Sequence, residues 1–260
     1  MSLNVIEPNK VIQDAVYIGD YKFSCGNNVP IYHVGSVYSL TQIIGYVKYI
    51  NSSYGNVFYR GQCKLHDSIE PSIYHGITSD KARQRRNALL NEIISRAMND
   101  KGFANFLKLD GSTISRIKIE SVFQHYGIPT HYIDVVDNHW TALWFGGNRY
   151  ISYLKDSFCK YEKRTINLID VLQKRTELSQ NDYADFLASI RDDMYQYLLM
   201  IAVSKEETPF GNGINEGTDT ISVDLRNTLP STFLRPHAQH GWTVKKKTSD
   251  NICLLYTSDA

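Results

Sequence analysis

Apolar residues recur at intervals of three and four residues in several stretches of the chain, which is the spacing of a helix with one buried face. This pattern predicts four helices, at residues 38–50, 80–100, 113–125 and 180–203. Ser39 or Thr41 is expected to open the first helix, and Asp80 is expected to cap the second. The second helix is predicted to have two opposite faces, with Leu89, Leu90, Ile93, Ile94 and Met98 inward and Arg85 and Arg86 outward.

Alternation of apolar and polar residues predicts strands elsewhere. Residues 11–24 are predicted to form a hairpin that turns at Gly19 and Asp20. Residues 130–136 follow a helix stop at Gly127 and are predicted to be a strand, as are residues 220–225.

The remaining segments are shorter or ambiguous. Residues 139–145 predict a short apolar helix, capped by Asp137 or Asn138, whose aromatic side chains are expected in the core. Residues 164–172 fit either a strand or a short helix. Residues 206–217 contain several glycines and a proline, which indicates an exposed loop that could act as a lid.

Helices and strands mixed along the chain predict an α+β fold, with a central, mostly antiparallel sheet flanked by the helices. At 260 residues, one large domain is long enough to bury a core, and two independent domains are not required. We expect a tail and hairpin at 1–36 and a main domain at 37–252 with a helical insertion at about 150–205. Residues 253–260 look like a translated sequencing adapter on a metagenomic reading frame, and we assign them no function.

Charge and cysteine content narrow the choice of partner and compartment. The chain has 28 basic and 27 acidic residues, so its overall charge gives no reason to expect a nucleic-acid or membrane partner. The basic runs at 81–86 and 245–247 are predicted to be solvated faces. The four cysteines are far apart and predict neither disulfides nor a zinc site. With no signal peptide and no membrane span in the sequence, we expect a cytoplasmic protein.

The first segment with candidate chemistry is Phe58 to Gln62. Val57, Phe58 and Tyr59 favour a strand, and Arg60 then meets a glycine that leaves the backbone open to close approach. A guanidinium can hold a phosphate or a carboxylate through two parallel hydrogen bonds. The alternative is an arginine on an edge strand that pairs with an acidic residue of the protein itself.

The second segment runs from Phe123 to Asp134. The strand predicted at 130–136 places Thr130, Tyr132 and Asp134 on one face and His131 and Ile133 on the other. Polar side chains that can bind a ligand stand where packing alone would favour aliphatic ones. We therefore interpret this segment and Arg60 as two distant pieces of one concave site for an anionic ligand.

Several short motifs occur in an order that resembles the FRG domain, which takes its name from a Phe/Tyr-Arg-Gly signature. They are Tyr59-Arg60-Gly61-Gln62, Glu70-Pro71-Ser72-Ile73, Gln124 to Thr130 with Asp134, Ala142 to Phe145, and Phe233 to Trp242. The resemblance runs from about Val37 to Trp242. Two positions depart from the family pattern: His131 stands where arginine is usual, and Val135-Val136 replace a Trp-Thr pair. The departure at His131 puts in question any role of a second basic group on that strand.

The resemblance implies a prokaryotic or phage-borne domain connected with phage defence, and a motif layout similar to ADP-ribosyltransferase folds. If the ligand is NAD, the segment Tyr59, Arg60, Gly61 and Gln62 would bind it, with Arg60 on a phosphate. Tyr126 or Tyr132 could stack on a ring, and His125 and Thr130 could bond to ribose hydroxyls.

Asp134, Gln239 and His125 are the candidate catalytic residues. Cleaving the nicotinamide bond builds positive charge on the ribose carbon, which a carboxylate can stabilise. An amide cannot act as a base, and many transferases of the implied fold have a glutamate where this chain has Gln239. His125, His237 and His240 complete no ligand pattern, so no metal is expected, and no base is tied to Cys63.

Three hypotheses remain open. The chain could be an NAD-consuming transferase or hydrolase with an unknown macromolecular acceptor, a non-catalytic module for a nucleotide or other phosphate ligand, or a protein-interaction domain.

Overall fold

The computed structural model describes residues 4, 6, 7, 10–24, 27–153, 158–165, 168–205, 208, 209, 211 and 213–247. Its strands are β1 (Ala15–Lys22), β2 (Asn28–Val34), β3 (Gly55–Gln62), β4 (Ile133–Val136), β5 (Asn148–Tyr153), β6 (Phe158–Lys163), β7 (Tyr197–Ser204), β8 (Thr208–Pro209), β9 (Ile214–Glu216), β10 (Thr220–Asp224) and β11 (Gly241–Lys246). Its helices are α1 (Val37–Ile50), α2 (Asp80–Asn99), α3 (Lys101–Leu107), α4 (Thr113–His125), α5 (His139–Gly147), α6 (Leu168–Glu177), α7 (Gln180–Met194), α8 (Leu225–Thr228) and α9 (Leu234–Gln239).

The chain divides into two compact units. The first consists of Met1–Phe58, His66–Asp137 and Met200–Ala260, and the second of Tyr59–Leu65 and Asn138–Leu199. The segment at 150–205, for which we predicted a helical insertion, contains strands as well as the helices α6 and α7.

The central sheet has seven strands in the order β7-β3-β4-β11-β10-β9-β8 within the described part of the chain. The pairs from β4 through β11, β10 and β9 to β8 are antiparallel. Asp134 on β4 stands opposite Thr243 on β11. The predicted α+β class, with a central, mostly antiparallel sheet and flanking helices, is confirmed.

Helix α4 lies at the centre of the first unit because it is apolar on two sides. Ile117 and Val122 belong to one buried cluster, together with Tyr132 and residues of β9, β10 and α8. Ile119 belongs to another, with Leu90 and Ile94 of α2. Burial on two sides brings polar α4 side chains into the interior as well: Ser115, Glu120, Ser121 and His125.

The predicted helices at 38–50, 80–100 and 113–125 are confirmed, but the first two begin with different caps. Ser36 caps α1 by accepting from the Ser39 backbone N–H, and Ser39 completes a capping box. Ser79, not Asp80, caps α2. On α2, Leu90 and Ile94 are buried as predicted, whereas Leu89 is exposed. A serine hydroxyl just before the helix satisfies an N–H that the helix leaves free.

The position predicted for the turn of the hairpin at 11–24 was wrong. β1 continues through Gly19 and Asp20 and pairs with β2, with an irregular register between Tyr17 and Gly19. Gly19 has a φ of +129°, which suits a bulge inside a strand.

The helix predicted at 180–203 was wrong beyond residue 194. Helix α7 ends at Met194, and residues 197–204 form strand β7 beside β3. Ile201, Ala202 and Val203 are all buried in this strand. A continuous apolar run satisfies helix and inner-strand patterns equally, so the neighbouring strand decided the outcome.

Two further expectations require correction. The strand predicted at 130–136 is only Ile133–Val136. In the segment at 164–172, which fitted either a strand or a short helix, residues 168–172 begin α6, and residues 166 and 167 lie outside the described residues. Asn138 caps α5 as one of the two predicted choices, but Trp140 and Trp144 are exposed rather than in the core.

Strand β10 at Thr220–Asp224 agrees with the strand predicted at 220–225. The adapter-like tail at 253–260 lies outside the described residues, as do residues 206, 207, 210 and 212 of the segment predicted to be an exposed loop. The described part of that segment contains strands β8 and β9, so the prediction of a loop throughout 206–217 was wrong. Within the described part of the chain, no helix is both long and apolar enough to cross a membrane.

The second unit is built around α5 and an antiparallel hairpin of β5 and β6, in which Tyr150 pairs with Tyr161. Its α6 and α7 follow in the chain. The Tyr59–Leu65 segment belongs to this unit because Gly61 lets the backbone approach α5 closely. A Cβ on Gly61 would lie 2.6 Å from the carbonyl carbon of Ala142 and 2.8 Å from the Gly146 nitrogen.

Candidate functional site

The predicted site residues divide between the two units. Tyr59, Arg60, Gly61 and Gln62 belong to the second unit. The others belong to the first unit: His125, Tyr126, Thr130, Tyr132, Asp134 and Gln239. The convergence of Arg60 with the turn after His125 therefore stays a prediction, and each group is described within its own unit.

Gln124 is the centre of a polar cluster in the first unit. Its Nε2 donates to Asp134 Oδ2 at 2.8 Å. Its Oε1 accepts from the hydroxyls of Thr130 at 2.7 Å and Ser72 at 3.3 Å. Because a carboxylate only accepts hydrogen bonds, Asp134 fixes which way the Gln124 amide points.

Local backbone geometry explains how these residues meet. Helix α4 ends at His125, and Gly127 has a φ of +86°, which turns the chain back. The Ile128 N–H bonds to the Phe123 carbonyl at 2.9 Å and closes the turn. The chain then returns beside the last turn of α4, so Thr130 and Asp134 both reach Gln124.

Asp134 remains accessible although it is held in place. Its side chain is 48% exposed, but its Oδ1 atom is covered and lies 3.7 Å from His125 Nδ1, beyond hydrogen-bond distance, so the accessible part of the carboxylate is on the Oδ2 side. The arrangement presents an oriented carboxylate at the surface of the first unit.

His125 is almost entirely covered, with 5% of its side chain exposed. Its Nε2 is buried and has no hydrogen-bond partner among the described residues. A Cβ on Gly241 would lie 3.3 Å from His125 Cε1, so strand β11 closes that side of the ring. In this conformation the Nε2 of His125 is covered by the protein, and a ribose hydroxyl could not reach it.

The two tyrosines that were alternatives for stacking are in different environments. Tyr132 is fully buried, and Lys245 Nζ lies 4.5 Å from the centre of its ring. Burial, and then the negative charge of Glu120, raise the pKa of the Tyr132 hydroxyl well above its usual value. Tyr126 is exposed, and the centre of its ring lies 5.6 Å from that of the His125 ring and 5.8 Å from that of the Phe233 ring. Tyr126 is therefore the one of the two that a ligand can reach.

Thr130 and Gln239 also have partners within the protein. The Thr130 hydroxyl accepts from the Tyr132 backbone N–H at 3.1 Å while it donates to Gln124, and the residue is buried. Gln239 ends α9, where its Oε1 accepts from Arg235 Nε at 3.4 Å. Thr130 thus shapes the turn, and Gln239 stands next to His240, whose φ is +54°.

The segment of the second unit that was predicted to bind a ligand is buried at Tyr59 and partly buried at Arg60, Gly61 and Gln62. Tyr59 is fully buried, and its ring meets the His139 ring edge to face at 5.8 Å. In the order of the sheet, strand β3 lies between β7 and β4. The alternative in which Arg60 pairs with an acidic residue of the protein stays open. Gly61 was predicted to allow close approach, and the group that approaches is the backbone of α5.

Sequence reasoning missed a buried network around Glu120. One carboxylate oxygen, Oε1, accepts from the backbone N–H of His131 and lies 2.7 Å from its Nδ1. The other, Oε2, accepts from Lys245 Nζ at 2.9 Å, so the expectation that the run at 245–247 is only a solvated face was wrong for Lys245. The Nε2 of His131 lies 3.1 Å from Asn87 Oδ1. The side chain at position 131 is therefore bonded to a buried carboxylate of the protein itself.

The pKa of Glu120 reflects two opposing effects. Burial by itself would raise it, but hydrogen bonding from His131 and the charge of Lys245 outweigh burial and lower the pKa to about 2. The signal available in the sequence was one glutamate among the apolar positions Ile117, Ile119 and Val122 of a helix.

A second missed network lies at the end of β4. Arg226 Nη2 donates to Asp137 at 2.6 Å and to Asp224 at 3.1 Å, and its Nε donates to Asp224 at 3.0 Å. Trp242 Nε1 donates to Asp137 at 3.3 Å, and the Trp242 ring lies 4.8 Å from that of Phe58. These residues hold the ends of β4, β10 and β11 together. Among the described residues, no group of three or more His, Cys, Asp and Glu side chains is placed to hold a metal ion.

Comparison with known proteins gives one positive result. The model of the FRG domain family matches residues 55–152, so the chain contains an FRG domain. The match includes Arg60, the turn after His125, Asp134 and α5. The wider extent of 37–252 stays a prediction. No curated protein and no solved structure matches the chain.

Proposed function

We propose that this protein binds NAD or a related dinucleotide through its FRG domain and breaks the bond between nicotinamide and ribose. The reaction would be ADP-ribosyl transfer to an acceptor or hydrolysis, in prokaryotic conflict with phages. The observation that supports it is the Asp134 carboxylate, which Gln124 holds at 2.8 Å while 48% of the side chain is exposed.

The proposed chemistry requires an oriented negative charge. As the bond from the ribose carbon to the nicotinamide nitrogen breaks, its electron pair leaves with nicotinamide and positive charge develops on the ribose. A carboxylate that is fixed before the reaction stabilises this charge without a cost of reorganisation. Water or a side chain of the acceptor then forms the new bond to the ribose carbon.

Other residues have supporting roles in this proposal. Arg60 is assigned to a phosphate on the chemistry of its guanidinium, and Tyr126 to stacking because its ring is exposed. Gln239 could position an acceptor but could not take its proton. His125, which is buried against β11, would maintain the position of Asp134.

Binding without turnover is the second candidate function. It is favoured by the amide at Gln239, which is held by Arg235, and by the covered Nε2 of His125, because neither group offers a base to the ligand. In this case the same carboxylate would recognise ribose hydroxyls.

The replacement Asp134→Asn is expected to reduce nicotinamide release about 100-fold or more, because it removes the charge and keeps the shape. The release of nicotinamide from NAD is measured by chromatography at saturating and at limiting NAD concentrations. Hydrolysis without an added acceptor is measured first. Asp80→Asn, at an exposed position in the first turn of α2, is the matched control and should leave the rate unchanged.

Equal rates for Asp134→Asn and the wild type would contradict the catalytic role. If the wild type releases no nicotinamide, but NAD at a hundredfold excess over its Kd raises stability by about 2.7 kcal/mol, the protein is a sensor instead. In either case Arg60→Ala should weaken binding by a factor of about 10 to 100, since a charge-assisted hydrogen bond contributes about 1.5 to 3 kcal/mol.

A further inference from the structure

Three exposed aromatic side chains form a continuous surface on the second unit, which we call the aromatic face. It consists of Trp144, Tyr150 and Tyr161. The Tyr161 ring lies 4.9 Å from that of Trp144 and 5.5 Å from that of Tyr150. The three side chains are 45%, 55% and 44% exposed. Large rings normally lose most of their contact with water, so a contiguous exposed set indicates a surface that binds something.

The aromatic face is held by regular structure. Tyr150 and Tyr161 are paired across the hairpin of β5 and β6, so they project from the same side of it. Trp144 comes from the last turn of α5. Asn148 Nδ2 bonds to the Trp144 carbonyl at 2.6 Å, and the Arg164 N–H bonds to the Gly147 carbonyl at 2.8 Å. These bonds fix both ends of the hairpin to α5.

The aromatic face carries a basic side chain, although the chain as a whole is close to neutral. The described residues from 148 to 165 include four basic side chains and one acidic, Glu162. Glu162 pairs with Lys160 at 2.5 Å and Arg149 at 3.6 Å. By strand alternation these three residues project from the side of the hairpin opposite to Tyr150 and Tyr161. The exposed Lys163 is on the same side of the hairpin as Tyr161, so a cation stands on the side that carries the rings.

We propose that the aromatic face binds single-stranded nucleic acid. Unpaired bases have flat apolar surfaces that stack on tyrosine and tryptophan rings, and a lysine beside the rings meets the phosphate backbone. A duplex hides those surfaces within its stack. A neutral apolar peptide would gain nothing from Lys163. This binding function is separate from the proposed reaction of NAD.

The test uses the full chain and a fluorescein-labelled 20-nucleotide oligo(dT), with binding followed by fluorescence anisotropy at low salt. Trp144→Ala and Tyr161→Ala are each expected to weaken binding about 10- to 100-fold, because one stacked base is lost. Trp144→Phe and Tyr161→Phe keep a ring and should bind nearly as the wild type does. Lys163→Gln should reduce the slope of log affinity against log salt concentration by about the amount expected for one lost phosphate contact. Tyr49→Ala, at an exposed ring of α1, is the control and should change nothing.

The thermal unfolding midpoint of each variant shows whether weaker binding comes from the changed aromatic face or from a loss of the fold. No binding by the wild type, or equal affinity for oligo(dT) and a 20-base-pair duplex, would overturn the proposal. It would also fail if Trp144→Ala abolished a dimer seen by light scattering while the wild type bound no oligonucleotide. In that event the aromatic face would be an interface between copies of this chain.

Discussion

The replacement Glu120→Gln is expected to lower the free energy of unfolding by about 3 to 5 kcal/mol, the typical effect of removing one partner from a buried ion pair. The change leaves Lys245 and His131 facing a neutral amide where a buried carboxylate stood. The amide has an NH2 group in place of one carboxylate oxygen, and an NH2 group cannot accept a hydrogen bond from Lys245 or His131. The loss is measured by urea denaturation at neutral pH.

A matched control separates the effect of burial from that of charge. Glu92→Gln removes a carboxylate that pairs with Arg96 on the exposed side of α2. Such a surface pair contributes about 0.3 to 0.5 kcal/mol, so this variant should unfold almost as the wild type does. If the two variants were equally stable, the Glu120 network would have no structural role.

The same network predicts how stability depends on pH. The pKa of Glu120 is about 2 in the folded protein, compared with an ordinary value of 4.5, so the unfolded chain binds a proton first as the pH falls. The stabilisation is therefore complete above about pH 4.5 and is lost as the pH falls towards 2. The difference between the two pKa values corresponds to about 3 kcal/mol of folding stability. The stability difference between the wild type and Glu120→Gln should shrink over this range and persist at neutral pH.

The second large effect is expected at the glycine of the Tyr-Arg-Gly signature. The replacement Gly61→Ala places a methyl group where the backbone of α5 already lies, at 2.6 Å from the Ala142 carbonyl carbon. Backbone atoms cannot move aside as a flexible side chain can, so β3 and α5 must separate. We expect a loss of about 3 kcal/mol, at the upper end for overpacking, and a lower thermal midpoint.

Gly45→Ala is the matched control for this prediction. Gly45 lies in the middle of α1, and a Cβ there would meet no atom within 4 Å. Alanine favours the helix over glycine by roughly 0.5 to 1 kcal/mol, so this variant should be slightly more stable than the wild type. Similar losses for both glycines would show that close packing against α5 is not the reason for Gly61.

The candidate site could be predicted in part. The sequence indicated that Asp134, Gln239 and the turn after His125 were unusual, and the structure joins Asp134 to Gln124. It could not show that Tyr132 enters the core while Tyr126 stays exposed. Both are aromatic residues beside a turn, and only the packing of β10 and α8 against Tyr132 separates them.

The sequence by itself determined the helices α1, α2 and α4 and the turn at Gly127. It also determined the FRG motifs that lie within the matched residues 55–152. These features depend on residues that are close along the chain, where periodicity and glycine positions act directly. Tertiary structure alone decided that residues 197–204 form a strand, and which polar groups neutralise one another. Glu120 and Lys245 are 125 positions apart, and Asp137 and Trp242 are 105 apart. No local pattern relates residues at such separations, because their contact is created only when the strands of the sheet come together.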